Sequence, residues 1–383
     1  MELVLDRWMS RGSFLNGIAI PYRDEKRDEN PVSFAGRRVS GAPRGRRPVS
    51  TADLVRPFSQ EELIVLAAVY EAYGPPEVVR VAEVPKPALG PSEVLVRVVA
   101  AAVTRGDTVQ RAADFPPGTG AGGRLALGVR RPRRKILGAV FAGEVVGVGE
   151  KVTDVSVGDR VCGVKGMEAG THAQYVVARA SACVPIPSDV SMQQAAATLF
   201  GGTTAVYFLE RGGIAAGARV LVNGASGEIG LMATQIARAR GASVTGVTSA
   251  ANAALVRRLG ANGVVDYTRE PLSAHTERYD LVLDTVGNLG ASDADRLLTS
   301  GGKLVLLRAS LGQMLSPNRA LVTGSSLGRG DGAADLLRGV ADGSIEPIID
   351  STMPLEDVVS AHRRVDSRHK VGSVLLDMGK AAA

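Results

Sequence analysis

Apolar positions in this chain follow two regimes that meet near Ser188, preceded by a stretch that follows neither. From Leu63 to about Pro187, short β-branched runs bounded by Gly and Pro recur: LIVLAAVYEAYG, VVRVAEVP, EVLVRVVAAAVT, FAGEVVGVG, DRVCGV and AQYVVA. That texture predicts strands separated by glycine turns and closing into a small β-barrel. From Ser188 onward the period changes. Helical stretches (MQQAAATLFGGTTAVYFLER, EIGLMATQIARAR, AALVRRLG) alternate with apolar strands (ARVLVNGA, SVTGVTS, YDLVLDTV, KLVLLRAS), which predicts βαβ units on a parallel sheet. After about Gly328, two helices (AADLLRGVADG, LEDVVSAHRRV) and a strand (GSVLLDM) are too little to stand alone and are expected to return to the β-rich part. Residues 1–62 mix charge, Gly, Pro and Ser with no period of 2.0 or 3.6, so a poorly ordered, dispensable extension is expected there. The expected organisation is an extension over 1–62, a β-rich domain over 63–187 and 329–383, and an α/β domain over 188–328.

Composition agrees with two cores. The chain has 383 residues, 45% of them hydrophobic, against a prior of about 150 residues per domain. Only 4% are aromatic and 46 are glycine, as in α/β folds that pack Val, Leu, Ile and Ala between many tight turns. Charge is nearly balanced, 45 basic against 39 acidic residues, so the net +6 gives a weak field and argues against a nucleic-acid partner. The basic run VRRPRRK (129–135) has no interleaved aromatics of the kind single-strand grooves use. It fits either a solvated loop or an attractor for an anionic substrate or cofactor phosphates. Two cysteines, Cys162 and Cys183, match neither a disulfide framework nor a four-cysteine zinc lobe, which leads us to expect a reducing, cytoplasmic setting. The apolar run Leu63 to Tyr70 falls well short of the ~20 residues of a membrane span, and no signal-peptide core follows Arg44 to Arg47. A soluble protein with no membrane partner is expected.

The motif with the most chemistry is Arg219 to Gly230, RVLVNGASGEIG, where an apolar strand runs into a glycine turn and then a helix. A pyrophosphate needs a tight turn whose backbone it can approach, facing a helix N-terminus with free N–H groups. The spacing is GxxGxxG rather than GxGxxG, but strand, turn and helix come in the order of a Rossmann dinucleotide site. Ser226 can add a hydroxyl donor. Glu228 is an acid inside a turn that should hold an anion, and its side chain is expected to point to solvent or to the helix face. The next strand ends in Thr248-Ser249, where an NAD-selective site would place Asp or Glu on the ribose. With that acid missing, Ser249 and Asn252 can donate to a 2′-phosphate and Arg257 or Arg258 can supply charge. NADPH is therefore expected in preference to NADH.

With these motifs in place, the chain resembles the medium-chain dehydrogenase/reductase superfamily, and within it the quinone oxidoreductase branch, over about Val69 to Met378. The residues that carry the resemblance are AYGPPEVVRVAEVPKP (72–87), AAVTRGD (101–107), LGAVFAGEVVGVGEKVTDVSVGDRVCG (137–163), NGASGEIG (223–230), LGANGVVDYTRE (259–270), DTVG (284–287) and the closing IEPIIDSTMPLEDVVSAHRRVDSRHKVGSVLL. It implies an α/β fold made of a GroES-like β-barrel catalytic domain and a Rossmann doubly wound parallel sheet, a cleft between them for nicotinamide and substrate, and a homodimer. By the same resemblance Gly224, Ala225, Ser226, Gly227, Glu228, Ile229 and Gly230 line the pyrophosphate, and Ser249 and Asn252 the adenosine phosphate. Tyr267 resembles the cofactor-contacting tyrosine of an Asp-Tyr pair, and Val286, Leu306, His369 and Lys370 are further cofactor candidates.

Zinc divides the superfamily. In the zinc-dependent alcohol dehydrogenase branch a cysteine sits near AAVTRGD and Gly-His-Glu occupies the place of Gly138-Ala139-Val140; this chain has neither, and none of its four histidines falls there. No metal is expected, and alcohol oxidation becomes the weaker alternative because no Lewis acid would hold an alkoxide. What remains is hydride delivery from NADPH to a quinone or an α,β-unsaturated carbonyl, whose conjugation spreads the incoming charge. The family's Asn-x-x-Asp appears as Thr104-Arg-Gly-Asp107, and Val109 replaces a frequent tyrosine. Thr104 is a candidate donor to a developing oxyanion or a plain strand-end threonine; Asp107 is a candidate that fits loop anchoring better than proton transfer. His172 and Tyr175 lie in THAQYVV, a structural segment in this family. A non-catalytic NADPH-binding redox sensor is the reading from another functional class.

Overall fold

The first strand leaves the β-rich texture read above almost unchanged, and two short helices interrupt it. The computed structural model describes residues 64–326, 330 and 332–379; the expected extension 1–62 and the expected boundary at 328/329 lie outside the described residues. The described residues fall in one compact unit spanning Pro57–Ala383. In the first part of the chain come β1 (Ile64–Tyr70), β2 (Val79–Pro85), β3 (Glu93–Val103), α1 (Arg105–Ala112), α2 (Gly120–Leu127), β4 (Val140–Val148), β5 (Arg160–Val164), β6 (Tyr175–Arg179) and β7 (Cys183–Pro185). The second part brings α3 (Met192–Arg211), β8 (Arg219–Asn223), α4 (Glu228–Ala239), β9 (Ser243–Thr248), α5 (Ala250–Arg258), β10 (Gly263–Asp266), β11 (Tyr279–Asp284), α6 (Ala291–Leu297), β12 (Leu298–Leu306), α7 (Leu311–Met314) and β13 (Leu321–Thr323). The chain closes with α8 (Ala333–Ala341), β14 (Ile349–Pro354), α9 (Val358–Asp366) and β15 (Ser373–Asp377).

The early strands form a seven-stranded sheet in the order β14-β15-β3-β4-β5-β7, with β6 also pairing β3, next to a two-stranded β1-β2 ladder. In β3 burial alternates residue by residue until Ala100, after which every side chain is buried, because the strand's end is covered on both faces. The closing strand β15 pairs antiparallel with that end, Val374 opposite Val103 through Asp377 opposite Ala100. The later strands form a six-stranded, all-parallel sheet in the order β10-β9-β8-β11-β12-β13. Numbered within this sheet, that is 3-2-1-4-5-6, the doubly wound arrangement that binds its ligand where the order reverses, here between β8 and β11.

Helix α3 is the wall the two sheets share. Ser191 caps it, accepting from Gln194 N while the Gln194 side chain accepts from Ser191 N. It is apolar on nearly all sides, as a helix packed on several surfaces must be. One core cluster joins Leu199, Ala205 and Leu209 of α3 to Ala100, Ala102 and Val140 of the first sheet and to Val220, Val222 and Leu283 of the second. Removal of Leu199 and Leu209 from water contributes roughly 1.5–3 kcal/mol each. Helix α8 adds Leu336, Leu337 and Val340 to the same cluster, whereas α9 packs Val358, Ala361 and Val365 into the core of the β-rich part.

The interrupting helices α1 and α2 were not anticipated from periodicity. The first starts at a capping box: Thr104 Oγ1 accepts from Asp107 N, and Asp107 Oδ2 accepts from Thr104 N at 2.8 Å. The second is too rich in glycine (GAGGRLAL) to carry a clear helical signal.

Candidate active site

Strand β8 ends at the order reversal and delivers the glycine turn to it. Gly224 has φ +82, and a Cβ there would fall 2.5 Å from Thr285 Oγ1. A Cβ on Gly230 would strike the Gly224 carbonyl oxygen and lie 2.8 Å from Ala225 Cα. Both positions therefore exclude a side chain, one by backbone conformation and the other by close backbone approach. The turn is held by Gly227 N donating to Gly224 O at 3.0 Å and Ala225 N donating to Val247 O at 3.0 Å. Helix α4 follows directly, with Gly227 as N-cap and no side chain on its first N–H groups, which leaves an anion-binding helix start. Ser226 Oγ accepts from Thr248 Oγ1 at 2.9 Å and keeps its own proton for a ligand.

Across the reversal, Asp284 at the end of β11 organises the facing loop. Its carboxylate is buried and accepts from Val286 N and Gly287 N at 3.0 Å each, from Leu289 N at 3.1 Å and from Asn223 Nδ2 at 2.9 Å. The loop holds Val286 in a position 48% exposed, facing the crevice side of the sheet end. Asn223 and Asp284 were overlooked as scaffold residues although NGASGEIG and DTVG contain them; neither motif by itself says that the two side chains meet across 61 positions.

The adenosine-end candidates come together at the ends of β9 and β10. Ser249 is the N-cap residue of α5 but makes no cap bond with its side chain, and its carbonyl accepts from Asn252 N at 3.0 Å. Tyr267 N donates to Thr248 O at 3.3 Å, which sets its 53% exposed ring beside Ser249. Of the two arginines considered for the 2′-phosphate, Arg258 is engaged by Glu346 through both Nη atoms, so Arg257 is the one whose guanidinium has no partner among the described residues. Leu306 is displaced from the expected group. It is 1% exposed and packs among Leu221, Val247 and Leu304 in the core, so the strand's alternation leaves only its backbone toward the crevice.

The closing segment brings a larger correction. Gly372 N donates to Ser226 O at 3.2 Å, so residues 370–372 lie along the glycine turn. Glu228, expected to point outward, is instead buried: it accepts from Lys370 Nζ at 3.1 Å and from Ser373 Oγ at 3.2 Å. Lys370 Nζ also donates to Gly372 O at 2.5 Å, which ties it to protein groups rather than presenting it to a cofactor. Burial pushes the Glu228 carboxyl above the usual carboxylate range, with Lys370 pulling the other way. His369 is exposed, and its carbonyl accepts from Arg364 Nη2 at 3.3 Å.

On the β-rich side Thr104 and Asp107 are both buried. Thr104 Oγ1 donates to Asp107 Oδ2 at 2.7 Å, and Gly138 N donates to Asp107 Oδ1 at 3.0 Å. The threonine's proton is thus held by the capping aspartate, and an oxyanion-donor role for it would require that bond to break. Asp107 clasps the start of α1 to the strand that follows Gly138. His172 is fully buried, its Nε2 3.0 Å from Ala102 O, and its ring meets that of His362 edge-on at 6.0 Å. Arg308, beyond β12, donates to Asp114 Oδ2 at 3.1 Å, and Leu311 N donates to Pro117 O at 2.9 Å, so the segment after α1 is fastened to the parallel-sheet side. Ala139 offers no donor atom where the zinc branch has its histidine. Among the described residues no three His, Cys, Asp or Glu side chains group as a metal site. Cys162 is buried and its thiol is pushed up to about 12 by desolvation. No helix of the described residues is long and apolar enough to cross a membrane.

Comparison with known proteins adds the following. Residues 90–188 match the alcohol dehydrogenase GroES-like domain, and residues 259–376 match the family described as zinc-binding dehydrogenase. An acryloyl-coenzyme A reductase of Metallosphaera sedula is 30% identical over 333 residues, 78% of this chain and 95% of that protein. A quinone oxidoreductase of Pseudomonas aeruginosa is 30% identical over 332 residues, 80% of this chain and 98% of that protein. A solved mycobacterial structure complexed with NADPH superposes with a TM-score of 0.68 at 29% identity, covering 82% of this chain and 99% of that one. A GroES-like sheet, a doubly wound pyridine-nucleotide fold and full-length relatives of both reductase kinds coincide in one molecule: the chain belongs to the medium-chain dehydrogenase/reductase superfamily, in its quinone oxidoreductase branch.

Proposed function

We propose that this protein is an NADPH-dependent reductase that passes hydride to a quinone or an α,β-unsaturated carbonyl without a metal ion. The observation that carries the reading is the tight turn from Gly224 to Gly230, closed by packing that admits no Cβ at Gly224 or Gly230, which delivers the uncapped N–H groups at the start of α4 to the order reversal of the sheet, where a pyrophosphate would bind. Ser226 supplies a free hydroxyl proton. Ser249, Asn252 and Arg257 would hold the 2′-phosphate, with Tyr267 nearby; β9 itself ends in Thr248 and Ser249 rather than an acid, and the neighbouring Asp266 carboxylate is engaged by Thr268 and Ala250 N. NADPH held there would supply a hydride, and these residues would orient it. Toward zinc the donor set does not fit, since Ala139 has no ligating atom and the Thr104 hydroxyl is bound to Asp107. A conjugated acceptor, which spreads its own incoming charge, is the substrate such a cleft serves.

The relatives support both acceptor kinds, one named for a quinone and one for an unsaturated thioester. The same reading takes a homodimer as the assembly and the cytoplasm as the setting. Among the described residues β13 pairs only with β12, and such an edge is one a second copy can cover; light scattering during gel filtration measures the assembly. The test of function is NADPH oxidation followed by absorbance with 9,10-phenanthrenequinone and 1,4-benzoquinone, NADH in parallel and EDTA included. Turnover that prefers NADPH and ignores EDTA is expected. Tight NADPH binding with no turnover on any quinone or enone would overturn the reading in favour of a binding protein.

A further inference from the structure

The basic run 129–135 shapes a cavity that the cofactor reading does not use. Helix α2 ends at Gly128, whose N–H donates to Arg124 O at 2.8 Å and whose φ of +125 no other residue adopts readily. The chain then doubles back, and Arg133 N donates to Leu127 O at 2.8 Å. This reversal sets Arg133 and Arg134 on the wall of a cavity of about 290 Å³, together with Gln110, Leu127, Met167 and Glu168. That volume equals about ten waters of bulk liquid, enough for an anionic group and the few carbons that carry it.

The charges there are out of balance. Lys135, the last cation of the run, is paired with Glu71 at 2.8 Å. The guanidinium groups of Arg133 and Arg134 have no hydrogen-bond or ion-pair partner among the described residues. Burial lowers the Lys165 amine's pKa, Glu168 and Glu93 oppose that shift more strongly than Arg134 adds to it, and the amine donates to Val177 O at 2.6 Å. Glu168 is the one acid on the cavity wall. Arg133 and Arg134 are exposed at a half-open cavity, and two like charges side by side with one counter-charge are relieved by a bound anion.

The cavity lies on the β-rich side, beside the helix that Thr104 and Asp107 cap. Gln110 sits four residues beyond Gly106, hence on the same face of α1, and Gly106 faces Phe200 of the shared helix. Asp107, which clasps Gly138, is one helical turn from Gln110, about 5 Å along the axis. The opposite wall, Met167 and Glu168, directly precedes the segment whose Gly170 N and His172 N donate to Leu137 O. Leu127 and Met167 line the cavity with apolar surface. The adenosine-phosphate candidates Ser249 and Asn252 belong to the parallel sheet, and none of them reaches this wall.

We infer that Arg133 and Arg134 bind an anionic group, a carboxylate or phosphate, borne by the acceptor itself, so that the preferred substrate is an anionic enone or quinone with an apolar body. This rests on the reductase reading above and narrows its substrate class.

The test compares 4-phenyl-3-buten-2-one with its para-carboxylate, equal in reacting atoms and different in charge, using NADPH and the full chain. The wild type is expected to show a KM about tenfold lower for the carboxylate, an advantage that shrinks in 0.5 M salt. The R133Q/R134Q variant is expected to lose about tenfold on the carboxylate and less than about twofold on the neutral enone. Equal KM values in the wild type, or equal losses on both enones, would overturn the inference while leaving the reductase reading intact. Equilibrium dialysis of the carboxylate with NADP⁺ present reads binding without turnover: retention that needs both arginines supports the inference even if neither enone is reduced, and retention unchanged in R133Q/R134Q refutes it.

Discussion

Replacing Lys370 with Met would leave the Glu228 carboxylate buried at the start of α4 without its cation. The two side chains are 11% and 5% exposed and meet at 3.1 Å, so neither can turn to water without opening the closing segment. Removing one partner of a buried pair costs about 3–5 kcal/mol, because the remaining charge is desolvated and uncompensated. Ser373 would still donate to Glu228, which places the expected loss toward the lower end, near 3 kcal/mol. The E228Q change alone strands the Lys370 ammonium instead, although Gly372 O still accepts from it. In the double variant E228Q/K370M no charge is left in the site, so its loss should fall short of the sum of the single losses by about 1–3 kcal/mol. Urea unfolding of all four proteins measures that coupling. NADPH titration by fluorescence gives a second readout: an ionised, unpaired Glu228 opposes the pyrophosphate at the same helix start, so K370M should bind about tenfold more weakly at a pH high enough to keep that buried carboxyl ionised, and E228Q/K370M should recover most of that. Additive single losses, or a double variant that binds as weakly as K370M, would show that Lys370 does not act through Glu228.

Two further outcomes are expected. An alanine at Gly230 places its Cβ on the backbone of Gly224 and Ala225, which cannot move without opening the turn, so NADPH affinity should fall at least about tenfold; unchanged titration would refute that role for the turn. His362 is buried with neither ring nitrogen partnered, and burial, then His172 and Arg111, hold its pKa well below 6.5. The unfolded imidazole takes up a proton as pH drops below about 6.5 while the folded one does not, so stability should fall by up to ~1.4 kcal/mol per pH unit there. His362→Leu should flatten the fall of the urea midpoint between pH 7 and 5, and identical slopes in the two proteins would disprove the assignment.

Periodicity and turn residues reached far into this fold, because the interactions they report are local. The alternation of apolar strands with helices from Ser188 onward, and a glycine turn between β8 and α4, follow from side-chain period and from φ values only glycine adopts readily. Local signals also misled. Thr104 and Asp107 have the spacing of a family substrate motif, and the same spacing is a helix capping box; which role the hydroxyl serves depends on where its proton goes, and it goes to Asp107. Leu306 shows the limit differently, since a strand residue's face is set by register with its neighbours.

The sequence by itself determined the two sheets' locations along the chain, the existence of helix α3, the glycine turn between β8 and α4 and the absence of an acid directly after β9. Tertiary structure alone decided where charge resides. Glu228 turns inward because Lys370 and Ser373, some 140 positions later, return beside it just before and at the start of β15. Arg258 is withdrawn by Glu346, and Arg133 and Arg134 have no partner among the described residues. An ionic side chain's role depends on its partner and its burial. Both are set by contacts between distant segments that no local pattern of residues encodes.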